Sequence, residues 1–163
     1  MIKEGDKAPE FTLPTVNGPL SLADFRGKQL VVLYWYPKDD TPGCTTEACS
    51  FRDNLAVLQS RGVAVIGASA DSVESHRKFA EKYGLPFPLV ADVDHQVAEQ
   101  YGVWSEKSMY GRTFWGVDRT TFLIDEEGIV RKVWRKVDPK THVPEVIAAV
   151  DELRQQKAAA PSA

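Results

Sequence analysis

The chain has 163 residues, 43% of them apolar, which is the length of one ordinary domain with enough Val, Leu, Ile and Phe for a continuous core. Its formal charge of −3, with lysines and arginines spread along the chain rather than massed, offers nucleic acid no basic face. Two cysteines are too few for a disulfide framework, and the scattered His76, His95 and His142 do not supply the further ligands a zinc site needs.

In chain order, the charged stretch from Met1 to Lys7 leads into no apolar core of a signal peptide. The longest apolar runs are too short to span a bilayer, so a cytoplasmic protein with no membrane partner is expected. Phe11-Thr12-Leu13 and Leu20-Ser21-Leu22, placed around Asn17-Gly18, predict a small hairpin ahead of the core. Gln29 to Trp35 is a nearly unbroken β-branched and aromatic run, the pattern of a strand buried on both faces, and Val63 to Ser69 is a second. Between them Ala48, Phe51, Leu55 and Leu58 recur at helical spacing, which makes the unit strand-helix-strand with parallel strands. A helix over 72–83, a short strand at Leu89-Val90 and a short helix over 94–101 follow. Thr120 to Ile124 and Ile129 to Trp134 flank Asp125-Glu126-Glu127-Gly128 as a second hairpin, and a last helix runs from about Val143 to Gln156. This order predicts an α/β thioredoxin-like fold with an N-terminal β-hairpin extension. One domain is expected over 1–156, with a disordered tail over 157–163.

The two cysteines lie where the first core strand gives way to a helix. Thr41-Pro42 suits a helix start, with Thr as an N-cap that accepts a backbone N–H and Pro at the first helical position. Cys44 then falls in the first turn, where unpaired N–H groups and the helix dipole favour thiolate over thiol; the chain is expected to present it as an exposed, reactive group. The alternative is a small buried hydrophobe on the stripe of Ala48, Phe51 and Leu55. Thiolate formation alone gives little rate, because a more acidic thiol is also a weaker nucleophile, so neighbouring groups must orient substrate and stabilise developing charge. Cys49 lies five residues on. In a regular helix that puts the two Cα atoms about 8.7 Å apart with side chains diverging by about 140°. The limit for a disulfide is roughly 7 Å, so a bond between them requires the helix to unwind. The lesser alternative for Cys49 is an unpaired helical thiol.

Pro37-Lys38-Asp39-Asp40-Thr41-Pro42-Gly43-Cys44 matches the Pro-x-x-x-Thr-x-x-Cys motif of peroxiredoxins. The longer string through Cys49-Ser50-Phe51-Arg52-Asp53 resembles the bacterioferritin comigratory protein (PrxQ) subfamily. The likeness extends from Gly5-Asp6-Lys7-Ala8-Pro9-Glu10-Phe11 to Gly116-Val117-Asp118-Arg119-Thr120-Thr121-Phe122-Leu123-Ile124-Asp125. The resemblance implies a thiol peroxidase for hydrogen peroxide and organic hydroperoxides, with Cys44 attacking the peroxide and Cys49 resolving the sulfenic acid. It further implies that Pro37 shields the pocket and packs against Cys44, that the Thr41 hydroxyl faces thiolate or peroxide, and that the Arg119 guanidinium sits beside the sulfur. Glu47 matches a position that supports this network, or is an exposed helical acid. No cofactor or metal is implied, thioredoxin or a similar dithiol is the implied reductant, and a monomer can complete the cycle. A thioredoxin-like disulfide reductase would normally carry Cys-x-x-Cys, which is absent, and a redox-sensing module is the remaining rival. Trp35, Tyr36, Trp104, Tyr110, Phe114 and Trp115 could line an apolar pocket or fill the core.

Overall fold

A computed structural model describes residues 1–159. Its centre is a five-stranded sheet built on β3 (Leu30–Trp35), every residue of which is buried. β3 pairs in parallel with β4 (Val63–Ser69), which pairs in parallel with β5 (Leu89–Ala91). On its other edge β3 pairs antiparallel with β8 (Thr120–Ile124), followed by β9 (Val130–Arg135), giving the order β5-β4-β3-β8-β9.

Strand alternation divides the core in two. Leu30, Val32, Tyr34 and Tyr36 point into a cluster with Phe51, Leu55, Leu58, Phe79, Val143, Val146 and Val150. Those partners come from α1 (Pro42–Asp53), α2 (Leu55–Ser60), α3 (Val73–Tyr83) and α5 (His142–Ala159). Val31, Leu33 and Trp35 face the opposite cluster, with Phe11, Leu13 and Leu22 of the N-terminal segment and with Val97 and Ala98 of α4 (Gln96–Gln100). The expected N-terminal hairpin is β1 (Thr12–Thr15) with β2 (Gly18–Ser21), and a short 3-10 helix follows at Leu22–Phe25.

Three expectations are corrected. The helix carrying the cysteines does not run on through the whole apolar stripe: it breaks at Asn54 (φ −108°, ψ 7°), where the side-chain Nδ2 donates to the Ser50 carbonyl at 2.8 Å and competes with the helical ladder. The stripe survives the break, since Ala48, Phe51, Leu55 and Leu58 are all buried. A hairpin of β6 (Trp104–Met109) and β7 (Arg112–Val117), turning at Tyr110-Gly111, stands outside the main sheet and was not anticipated. Finally, α5 continues to Ala159, so the first residues of the expected tail are helical, and residues 160–163 lie outside the described residues. Among the described residues no helix is long and apolar enough to cross a membrane.

Candidate active site

The register of β3 on β8 builds the site. Trp35 pairs with Thr120, so Arg119 lies one residue beyond the end of β3, beside the loop that leads into α1. Its guanidinium forks: Nη2 donates to Cys44 Sγ at 3.3 Å and Nη1 donates to Glu47 Oε1 at 2.9 Å. Gly43 leaves the room for this. A Cβ on that residue would stand 3.1 Å from Arg119 Nη2, so a larger residue would require the guanidinium to shift by a few tenths of an ångström.

Cys44 lies in the first turn of α1 as expected, but it is buried, at 1% exposure, not exposed. It sits on the apolar stripe, and its sulfur also receives a charged donor. Cys49 is half-buried, and both thiols are free with α1 continuous across them. Thr41 occupies the N-cap position by backbone angle, yet its hydroxyl caps nothing. Oγ1 instead donates to the Lys38 carbonyl at 2.9 Å, which corrects the expected capping bond. Pro37 is exposed, two residues past the end of β3.

Glu47 is fully buried, which excludes the exposed-acid reading. Burial raises its pKa to about 7, and the charge and hydrogen bond of Arg119 only partly oppose this. Its Oε2 has no hydrogen-bond partner among the described residues. The signal was in the sequence: position 47 lies three residues from Cys44 and four from Phe51, on the stripe itself. A raised carboxyl favours the folded state below about pH 4.5, where folded and unfolded forms are both protonated, and loses that advantage as pH rises through about 7. Glu47→Gln should therefore remove a fall in stability on the order of 3 kcal/mol between those pH values. Urea denaturation of both proteins at pH 4.5 and 8 measures it, and identical pH slopes would refute the assignment.

The loop before α1 is tied down by groups that sequence reading did not pick out. Asp39 Oδ1 accepts from the Tyr36 hydroxyl at 2.6 Å, and Oδ2 accepts from Ser75 Oγ at 2.8 Å and lies 2.7 Å from His76 Nδ1. The Asp39 N–H donates to Asp71 Oδ2 at 2.8 Å. Asp39, Asp71 and His76 bring ligand atoms within 4.8 Å of one another, but this donor set already bonds to itself and its neighbours, as a structural network does. His142, at the start of α5, is held well below its usual range, at about 4, by burial and then by Arg119. It stands edge-on to Phe51 and Trp134, with Nε2 2.8 Å from Thr121 Oγ1.

A thioredoxin-like sheet with a buried thiol, a guanidinium fork and a second free thiol on one helix defines a thiol-based redox enzyme. The sequence profile of the AhpC/TSA family matches residues 4–133, and the chain belongs to that family. It is 56% identical to a bcp peroxiredoxin of Coxiella burnetii, over 90% of this chain and 97% of that one. It is 46% identical to peroxiredoxin Bcp of Bacillus subtilis strain 168, over 95% and 99%. Among solved structures it resembles a Xanthomonas campestris bacterioferritin comigratory protein studied for alkyl peroxide reduction. That match has a TM-score of 0.82 and 39% identity, over 88% of this chain and 91% of that one. The chain is a thiol-dependent peroxidase of the peroxiredoxin kind.

Proposed function

We propose that residues 1–156 act as one domain and a cytoplasmic monomer that reduces hydrogen peroxide and organic hydroperoxides through Cys44 and Cys49. The observation that carries this reading is the Arg119 donor 3.3 Å from the Cys44 sulfur. The Cys44 thiolate attacks the distal peroxide oxygen, the O–O bond breaks, and the products are Cys44 sulfenic acid and hydroxide or alkoxide, which takes up a proton. Arg119 stabilises the charge that moves from sulfur to the leaving oxygen. Thr41, whose hydroxyl hydrogen is committed to the Lys38 carbonyl, presents only lone pairs and so accepts the hydrogen of the incoming hydroperoxide. Pro37, with its exposed ring and no N–H, shields the rim of the pocket. Cys49 then condenses with the sulfenic acid, releasing water, and a thioredoxin-type dithiol reduces the disulfide.

Mass spectrometry after one equivalent of peroxide tests the assignment. The expected products are a Cys44–Cys49 disulfide in the native protein and a Cys44 sulfenic acid in Cys49→Ser. Hydrogen exchange adds the conformational half: amides 44–52 lose protection in the disulfide form, since intact α1 holds the thiols apart. Equal protection in both redox forms would count against the cycle.

A further inference from the structure

The cycle above needs α1 to unwind, and the structure shows what resists that. Arg52, one helical turn past Cys49, donates through Nη1 to the Tyr83 carbonyl at 2.6 Å, at the C-terminal end of α3. On the other side of the cysteines, Asp40 binds Tyr83 as well, together with its neighbour Lys82: Oδ2 accepts from Lys82 Nζ and Oδ1 from the Tyr83 hydroxyl, both at 2.8 Å. Asp40 holds φ at 56°, a conformation non-glycine residues seldom adopt. Such backbone persists where surrounding contacts fix it. Both ends of the redox segment are thus fastened to one point, Lys82-Tyr83.

The two fastenings are not equivalent during unwinding. Asp40 precedes α1 and can stay bound while the helix melts. Arg52 cannot. α1 has twelve residues, and unwinding through Cys49 leaves 50–53 with one helical bond, from the Asn54 N–H to the Ser50 carbonyl at 3.2 Å, a single turn that does not repay the cost of ordering it. The melt therefore runs to the break at Asn54, and Arg52 loses the helical frame that aims it at Tyr83.

Building on the proposed cycle, we infer that Arg52 is a positioning residue that sets how fast Cys49 reaches the Cys44 sulfenic acid, by holding α1 folded against the end of α3. In that step the Cys49 sulfur attacks the Cys44 sulfur, the S–S bond forms as the S–O bond breaks, and hydroxide leaves with the Cys49 proton as water. Cys49 is oxidised and the sulfenic sulfur is reduced. The competing fate of the sulfenic acid is a second peroxide molecule, which carries it to sulfinic acid. The Arg52 contact therefore also fixes the peroxide concentration at which the enzyme inactivates itself.

The experiment compares native protein with Arg52→Met and Arg52→Lys. Stopped-flow tryptophan fluorescence and rapid-quench mass spectrometry follow sulfenic acid and disulfide separately. One partly exposed, charge-assisted hydrogen bond is worth about a five-fold change in rate. Arg52→Met should therefore form the disulfide about five-fold faster and need about five-fold more peroxide for half-inactivation. Arg52→Lys, which can still donate to the Tyr83 carbonyl, should return both values to within about two-fold of native. Amide exchange should accelerate over 44–52 in Arg52→Met while the central strands keep their protection, which separates a local release from general destabilisation. Disulfide formation in Arg52→Met at the native rate or slower would overturn the inference. A native protein that consumes peroxide without ever forming the Cys44–Cys49 bond would instead overturn the cycle itself, and this inference with it.

Discussion

Cys44→Ser is expected to lose peroxide turnover by about 10⁴-fold or more, the largest effect of any single substitution in this chain. Splitting an O–O bond needs a polarisable nucleophile with an available charged form, and a serine hydroxyl supplies neither at neutral pH. The fold should survive the change. Cys44 is buried in the first turn of α1, and an oxygen in place of the sulfur remains a good acceptor for the Arg119 N–H that now reaches Sγ at 3.3 Å. Circular dichroism and urea denaturation should therefore match native protein while the activity disappears. Cys49→Ser makes the informative contrast, because it should consume one equivalent of peroxide at the native rate and then stop. A rapid-mixing assay distinguishes the two: no burst in Cys44→Ser, a stoichiometric burst in Cys49→Ser. Residual turnover above about a hundredth in Cys44→Ser would remove the sulfur from the centre of the chemistry.

What the sequence made legible divides along physical lines. Strands buried on both faces announce themselves as unbroken apolar runs, which is why β3 and β4 fall where the residues predict, and why the helices that cover them show their stripes. The β6–β7 hairpin shows no such pattern. Its residues Met109, Tyr110, Phe114 and Trp115 are exposed, so no core imposes alternation, and the Tyr110-Gly111 turn lacks the usual Asn-Gly signal. The same exposure answers the question left open about the aromatics: Trp35 and Tyr36 are core, while Tyr110, Phe114 and Trp115 are surface. The site was legible only where it is local. Cys44, Cys49, Thr41 and Pro37 share one short segment, but Arg119 is 75 residues from Cys44 and arrives through the pairing of β3 with β8, which no local pattern specifies. Only the family motif pointed to it. Arg52 and Asp40 meet at the end of α3 by tertiary packing alone, and nothing in their own neighbourhood predicts that.

Arg119→Met is expected to lower kcat/KM for peroxide by about 10²–10³-fold, the cost of removing a preorganised donor from a site where charge develops. Arg119→Lys should recover little of that loss. The guanidinium spans two acceptors at once, Cys44 Sγ at 3.3 Å and Glu47 Oε1 at 2.9 Å, and a single ammonium on a flexible stem cannot hold the same fork. Glu47 gives the argument its internal check. Its carboxyl touches Arg119, and the proposed cycle puts it on no reacting atom, so its expected part is to fix the plane in which Nη2 meets the sulfur. Glu47→Gln should then cost less than Arg119→Met, because the amide oxygen can still accept from Nη1. With the fork gone, Glu47 has nothing left to orient, so the double variant Arg119→Met/Glu47→Gln should be no slower than Arg119→Met alone. If the two losses instead multiply, Glu47 has a role independent of Arg119. If Arg119→Met stays within about five-fold of native, the guanidinium is a structural partner of Glu47 and not the group that stabilises the departing oxygen.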